Sequence, residues 1–335
     1  MVPVGELFLV KQIVAEGVDI IKNKTIIIIS VAVIVLSVFF ISFSLATSGL
    51  FRTYYVPPGA VTTEIKLNDL GSAGRLEGNV ALVYIFADDK NSSWDFNADQ
   101  DRQTRERMFD YTDIATEWLC RQAKNYNKEL SFSYASDENS DLYFEGRIDD
   151  VCVNNDKAKK KYAPAEWEYI DKNIDSGAIK EKYGCDSIVY YLFLNYTEEN
   201  NTTPFTLSFY NRELDYPYEI CFMPVVTKNT SPAPSTIAHE MLHTFGAPDL
   251  YGEDCFDMNY GTDGKYVQYC SENHPEDLMY STYIKVEGKQ VKVFDRIEQE
   301  LTDITAYYLG WIDEPPAEVD EFGLVHNQYE NYTGK

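Results

Sequence analysis

The chain has 335 residues and a formal net charge of −25, because 54 acidic side chains outnumber 29 basic ones. This charge argues against a nucleic-acid partner and against docking of the folded part onto anionic lipid, since both need an excess of Lys and Arg. The length allows one large domain or two small ones.

Residues 25–46 form an uninterrupted apolar stretch without a charge or a proline. A helix of this length rises roughly 30 Å, which is enough to cross a bilayer core. Lys22 and Lys24 lie directly before the stretch, so the positive-inside rule modestly favours a cytoplasmic N-terminus. The sequence therefore predicts a cytoplasmic segment over 1–24, a single transmembrane anchor over 25–46 and an extracellular remainder.

A cleaved signal peptide is the alternative interpretation of the same stretch. Ser44-Leu45-Ala46 resembles a small-residue cleavage site, and cleavage would make the protein secreted. The apolar stretch is longer than the usual core of a signal peptide, so a retained anchor is favoured. Residues 47–77 follow, and Pro57-Pro58-Gly59 with scattered Gly and Ser is typical of a linker.

The folded part is predicted over 78–314 and opens with the apolar run 80–87, which is typical of a strand buried on both faces. Pro224 assigns the run 219–226 to a sheet edge, because proline cannot donate a ladder hydrogen bond. The pattern predicts an α+β domain with a mixed sheet and backing helices, followed by an acidic, loosely ordered tail over 315–335. The other predicted elements are helices over 102–126, 167–174, 234–245 and 294–310 and strands over 130–134 and 188–194.

Two groups of oxygen-bearing side chains are candidates for calcium. The first resembles an EF-hand loop, but Gln100 stands where the sharp turn of such a loop requires glycine. An acidic loop that caps the following helix is therefore favoured, because a helix N-terminus attracts negative charge. The first group is Asp95, Asn97, Asp99, Asp101 and Glu106, and the second is Asp257, Asn259 and Asp263.

All six cysteines follow the apolar stretch, and the absence of a C-x-x-C pair argues against a cysteine-rich zinc ribbon. On an oxidising side of the membrane they could form three disulfides, in pairings that the sequence leaves open. Cys255 and Cys270 are closest in sequence and form the suggested pair. The others are Cys120, Cys152, Cys185 and Cys221.

The segment His239-Glu240-Met241-Leu242-His243 carries the strongest chemical signal in the chain. A helix places residues i and i+4 on one face, so His239 and His243 can bind one metal ion together. Glu240 lies one step round the helix, where it can take a proton from water and pass it to a leaving amine. Two of the four histidines lie in this motif, which argues against a chance match.

A third ligand is predicted just after this helix. Gly246 stands where the helix would end in a left-handed turn, and Asp249 follows three residues later. Such a turn would bring the Asp249 carboxylate under the metal as an oxygen ligand. The alternative third ligands are Glu253, Asp254 and His274.

The string His239-Glu240-x-x-His243-x-x-Gly246-x-x-Asp249 resembles the extended zinc motif of the metzincin clan of metallopeptidases, in the form where aspartate replaces the third histidine. Snapalysin-type bacterial peptidases have this form, and residues 246–251 (GAPDLY) are also similar to the immune-inhibitor-A group of secreted bacterial peptidases. The resemblance covers residues 234–311, and for the N-terminal half only the order of strands and helices agrees. It implies a metzincin-like fold with an active-site helix, a catalytic zinc ion, a methionine turn beneath the metal and a C-terminal helix.

The methionine turn has a match in type and order at Asp277-Leu278-Met279-Tyr280-Ser281. Seen alone, Met279 would be a core methionine. Several clan members place a tyrosine two residues after the methionine, where it stabilises an oxyanion. Ser281 stands at that place here, so Tyr280 and Tyr283 are the candidates for the role. The clan's edge strand before the active-site helix pairs with an extended substrate, and 219–226 is the matching candidate.

The resemblance implies a membrane-anchored, extracytoplasmic zinc metalloendopeptidase that cleaves proteins or peptides, with Glu240 as general base. One alternative is a catalytically inactive surface binding module with the same fold, against which the intact Glu240 argues. Another is a zinc hydrolase of cell-wall peptide amides, but the chain contains no separate wall-binding repeat.

Overall fold

The computed structural model describes residues 71–150, 152, 165–196, 204–206, 218–226, 232–251, 265–322 and 324. The predicted cytoplasmic segment and the predicted anchor lie outside these ranges, as do residues 47–70 of the predicted linker. Among the helices within these ranges, none is both long enough and apolar enough to span a membrane.

The described residues form a mixed α/β structure around a mostly parallel sheet in the order β2-β1-β4-β6-β5. Strand β1 lies inside the sheet, and residues 80–87 are fully buried, as the continuous apolar run predicts. Strands β2 and β3 pair in succession with the same side of β1. The strands are β1 Gly78–Asp88, β2 Leu130–Tyr134, β3 Tyr143–Arg147, β4 Ser187–Tyr196, β5 Phe205–Thr206, β6 Ile220–Val226 and the separate hairpin β7 Ile284–Val286 with β8 Lys289–Val291.

The predicted edge position of residues 219–226 is wrong. Strand β6 lies between β4 and the two-residue strand β5, which pairs antiparallel with it at Cys221 and Phe222. Pro224 lies beyond this described pairing, so its missing N–H removes no hydrogen bond between β5 and β6 there. A strand of two residues leaves no alternating pattern that the sequence could reveal.

The described part of the chain contains seven helices. The longest, α1, packs against α4, and its apolar stripe buries Met108, Trp118 and Leu119. Each such side chain stabilises the fold by about 1.5–3 kcal/mol. The helices are α1 Asp99–Asn125, α2 Ala165–Asn173, α3 Ser176–Tyr183, α4 Pro234–Thr244, α5 Lys265–Asn273, α6 Asp303–Tyr308 and α7 Ala317–Glu321.

The predicted final helix over 294–310 is shorter than expected, because α6 begins only at Asp303. The backbone of Glu300 is already bonded elsewhere: its N–H donates to the carbonyl of Glu276 at 3.0 Å, and its carbonyl accepts from the N–H of Leu278 at 2.9 Å. A helix cannot include a residue whose backbone groups face another segment. The predicted end is confirmed, since Gly310 follows the helix with a φ of 74°.

The predicted loosely ordered tail is wrong for its first part. Helix α7 buries Val319 completely, and Leu324 is 4% exposed. Tyr269 on α5 donates from its hydroxyl to Glu318 at 2.7 Å. At the other end of the domain, Leu76 is fully buried ahead of β1. Contacts therefore extend beyond residues 78–314 on both sides.

The disulfides that an oxidising environment would allow are not formed among the described residues. Five cysteines lie in the described ranges, and all five are free thiols. Cys255 lies outside the described residues. Four of the five are buried, where a thiol packs as a small apolar side chain.

Glu166 on α2 is a buried carboxyl group whose ionisation should make stability depend on pH. It is 1% exposed, and its Oε2 has no hydrogen-bond partner among the described residues. Burial raises the pKa of this carboxyl from 4.5 to about 8. The folded state therefore keeps a proton that the unfolded state releases, so the free energy of unfolding falls as the pH rises between these two values.

We expect Glu166→Gln to remove this loss of stability, because glutamine stays neutral. The variant should nearly match the wild type at about pH 5 and exceed its free energy of unfolding at about pH 8 by up to about 4 kcal/mol. Urea unfolding at both pH values measures the difference, and Glu168→Gln at the exposed neighbouring position is the control. Equal stability of wild type and variant at the higher pH would contradict the expectation.

Candidate metal centre

Helix α4 carries the predicted metal motif and begins without a side-chain cap. Pro234 fills the first helical position, where a missing N–H removes no helical hydrogen bond. The hydroxyl of Ser235, at the second helical position, donates to the carbonyl of Thr282 at 2.9 Å. After the helix, Gly246 has a φ of 92°, which is the left-handed turn that its spacing predicts.

The end of α4 is also held by the segment that precedes β1. The N–H of Ala73 donates to the carbonyl of Thr244 at 2.9 Å. Gly71 approaches so closely that a Cβ built on it would lie 2.2 Å from the same carbonyl oxygen. Only glycine fits at this contact, which fixes the point where the chain turns from α4 towards Asp249.

The structure brings the three predicted ligands together. The Nε2 atoms of His239 and His243 lie 3.2 Å apart, and Asp249 Oδ1 lies 3.1 Å from the first and 3.4 Å from the second. A tetrahedral zinc ion with bonds of about 2.1 Å holds its ligand atoms roughly 3.4 Å apart. Of the His, Cys, Asp and Glu residues that the structure describes, this is the one group of three with ligand atoms mutually within 4.8 Å.

The other ring nitrogen of each histidine faces a backbone carbonyl. His239 Nδ1 lies 3.1 Å from the carbonyl of Leu278, and His243 Nδ1 lies 2.8 Å from that of Ala247. A carbonyl oxygen can only accept, so each Nδ1 carries a proton and leaves Nε2 as the atom that can bind a metal. Both rings therefore have the tautomer that a metal ligand needs, and their orientation is fixed.

The electrostatics of the group favour a cation among the three atoms. Burial lowers the pKa of His243, but the charge of Asp249 and its hydrogen bond raise it to about 9. Burial acts to raise the pKa of Asp249, yet His243 and His239 hold it well below its ordinary value. Two lone pairs and a carboxylate at this separation repel one another unless a proton or a metal ion lies between them. The donor set thus fits a zinc ion.

Glu240 lies on the same helix with its side chain in the interior. The residue is 4% exposed, and burial raises the pKa of its carboxyl. Its Oε2 accepts a hydrogen bond of 3.0 Å from the hydroxyl of Thr206 on β5. A buried carboxyl next to a metal-ligand group is suited to act as a general base.

The predicted methionine turn lies against the predicted metal ligands. Met279 is fully buried, and its carbonyl accepts from the N–H of Leu250, next to Asp249, at 2.9 Å. The preceding carbonyl, of Leu278, is the one that faces His239. The turn therefore contacts His239 directly, and it also holds the loop that carries Asp249.

The two tyrosines proposed for the oxyanion have no described contact with the three ligand residues. Tyr280 is half-buried, and Tyr283 is 39% exposed with the Lys292 ammonium 5.4 Å from its ring centre. The ring next to the site is that of Tyr251, which stacks on His239 at 6.1 Å between ring centres. The string GAPDLY contains Tyr251, so the motif could have identified it.

The other predicted metal ligands lie elsewhere. The ring of His274 packs against Tyr269 at 5.5 Å, and Glu253 and Asp254 lie outside the described residues. In the EF-hand-like loop, Asp101 Oδ2 accepts from the N–H of Asp95 at 2.7 Å, which is the role of an acidic loop at a helix N-terminus. The second calcium candidate, Asp257, Asn259 and Asp263, lies outside the described residues.

Comparison with protein-family models and with curated proteins finds no match for this chain.

Proposed function

We propose that this protein is a membrane-anchored, extracytoplasmic zinc metallopeptidase of the metzincin type that hydrolyses internal peptide bonds. The observation that carries the proposal is the convergence of His239 Nε2, His243 Nε2 and Asp249 Oδ1 to within 3.4 Å of one another, next to the buried carboxyl of Glu240. The resemblance of the motif supports both the metal and the reaction. The apolar stretch 25–46 supports the anchored location, with secretion after cleavage as the alternative.

His239, His243 and Asp249 would hold the zinc ion, and a set of three protein ligands leaves the open fourth position of a catalytic site. When bound, zinc supplies Lewis acidity, which lowers the pKa of water and polarises a carbonyl group. The backbone carbonyls at Nδ1 fix the orientation of both rings and direct each Nε2 towards the ion.

Glu240 is the group that moves protons in this proposal. Its carboxylate takes a proton from the attacking water and returns it to the amine of the departing peptide. Burial raises the pKa of this carboxyl, so the carboxylate is a stronger base than that of an exposed glutamate. The same burial keeps bulk water away from the proton.

The sheet edge next to Glu240 supports a peptide as substrate. Strand β5 is the last strand in the described sheet, and Thr206 on it contacts Glu240. An extended peptide that added to this edge would run past the catalytic carboxylate and bind through backbone hydrogen bonds. The proposed substrate strand is thus β5 rather than residues 219–226.

Metal analysis and peptide cleavage test the proposal together. We expect the purified protein to carry one zinc ion per chain and to cleave a mixed peptide library, and a chelator should abolish the cleavage. Substituting a residue that only supports a metal ligand weakens metal binding by up to roughly 100-fold. His243→Ala removes a proposed ligand itself and should weaken zinc binding by more than that. His274→Ala, at the histidine whose ring packs on Tyr269, is the matched control.

Two outcomes would contradict the proposal. Equal zinc content in the wild type and His243→Ala would show that the proposed residues do not bind the metal. Bound zinc without cleavage of any peptide would favour the inactive binding module.

A further inference from the structure

The Glu240 carboxyl receives a hydrogen bond from a residue far away in the sequence. Thr206 lies 34 positions earlier, and its hydroxyl is 3.0 Å from Glu240 Oε2 and 2.9 Å from the Glu240 carbonyl oxygen. Among the described residues, Thr206 is the one side chain that donates to this carboxyl group.

A hydroxyl has a single proton, so Thr206 can donate fully to only one of these two acceptors. The second strand beneath the helix supplies another donor for the carbonyl. Cys221 is the partner of Thr206 in the β5–β6 register, and its thiol lies 3.4 Å from the Glu240 carbonyl oxygen. Because the Cys221 thiol can donate to that carbonyl oxygen, the Thr206 proton is available to the carboxylate.

A general base must keep its carboxylate at one place, since a misplacement of about 1 Å can lower the rate by about 10²-fold. A glutamate side chain has three rotatable bonds, and helix packing fixes only those near the backbone. The hydroxyl of Thr206 fixes the far end.

We infer that Thr206 is a positioning residue that holds the Glu240 carboxylate in the orientation for proton transfer. This inference rests on the proposed function, because it concerns the same reaction. It also links the proposed substrate edge to the base, since β5 supplies both the edge and the hydroxyl.

The test compares variants of the full chain with and without the hydroxyl. Thr206→Val keeps the shape and the strand preference of threonine but removes the donor. We expect it to lower kcat by about 10- to 100-fold, as loss of an outer-shell partner does, with KM and zinc content unchanged. Thr206→Ser keeps the hydroxyl and should restore kcat close to that of the wild type. Thr116→Val is the control, because the Thr116 hydroxyl bonds to the carbonyl of Thr112 within α1.

Each other outcome overturns the inference in a recognisable way. If the wild type is active and Thr206→Val is equally active, Thr206 has no positioning role, while the proposed function still stands. Loss of zinc or of folding in Thr206→Val, with the same loss in Thr206→Ala, would make Thr206 a structural residue. A zinc-loaded wild type that cleaves no peptide removes the proposed function and the positioning role together.

Discussion

Replacing Glu240 with glutamine should lower kcat for peptide cleavage by about 10²- to 10⁴-fold while the zinc ion stays bound. Glutamine has the shape of glutamate but cannot take a proton from water. Its amide oxygen can still accept from the Thr206 hydroxyl, so the helix and the β5 contact should be unchanged. The three proposed metal ligands are other residues, so the proposed metal site should remain.

Single-turnover cleavage and metal analysis of the same preparation measure both parts of this expectation. Glu272→Gln makes the same chemical change at an exposed position and serves as the control. Equal cleavage by Glu240→Gln and the wild type would show that another group is the base. Loss of zinc in the variant would show that Glu240 supports the metal and would contradict the assigned role.

The sequence predicted the elements whose signal is local. Strands β1 and β4 are continuous apolar runs buried on both faces, which is the pattern of a strand inside a sheet. Helix α4 follows from Pro234 at its start and Gly246 after its end. Histidines at a spacing of four residues then place two ligands on one face, whatever surrounds the helix.

The errors arose where distant residues determine the local structure. Residues 297–301 have the apolar spacing of a helix, but the backbone of Glu300 pairs with residues 276–278 and prevents one. Strand β5 exists only through its pairing with β6 and leaves no pattern of its own. The contact of Thr206 with Glu240 depends on that pairing and was therefore not predictable either.

The predicted methionine turn depends on the carboxylate of Asp277, whose role no local sequence pattern indicates. Asp277 is fully buried. Its Oδ1 accepts a hydrogen bond from the N–H of Met279 at 2.7 Å. Its Oδ2 accepts from the N–H of Thr302 at 2.8 Å and from the hydroxyl of Thr302 at 2.6 Å. The same oxygen also accepts from the hydroxyl of Thr305 at 2.8 Å. One of these hydrogen bonds closes the turn beneath the predicted metal ligands, and the other three join it to the start of α6.

Asp277→Ala should lower the free energy of unfolding by about 3–5 kcal/mol, because it leaves several buried donors without an acceptor. Asp277→Asn retains one carbonyl-type acceptor and should lose about 1–3 kcal/mol, which provides a folded variant if the alanine variant does not fold. Urea unfolding measures both, and Glu276→Ala at the exposed neighbouring position is the control.

Zinc binding should weaken in Asp277→Asn together with stability. The turn that Asp277 holds presents the Leu278 carbonyl to His239 Nδ1, so a looser turn would release the ring from its metal-binding orientation. Second-shell losses of this kind lower metal affinity by about 10- to 100-fold. A variant that is less stable yet binds zinc as tightly as the wild type would show that the turn supports the fold alone. Weaker zinc binding would instead show that the buried carboxylate connects the stability of the C-terminal region to the metal site.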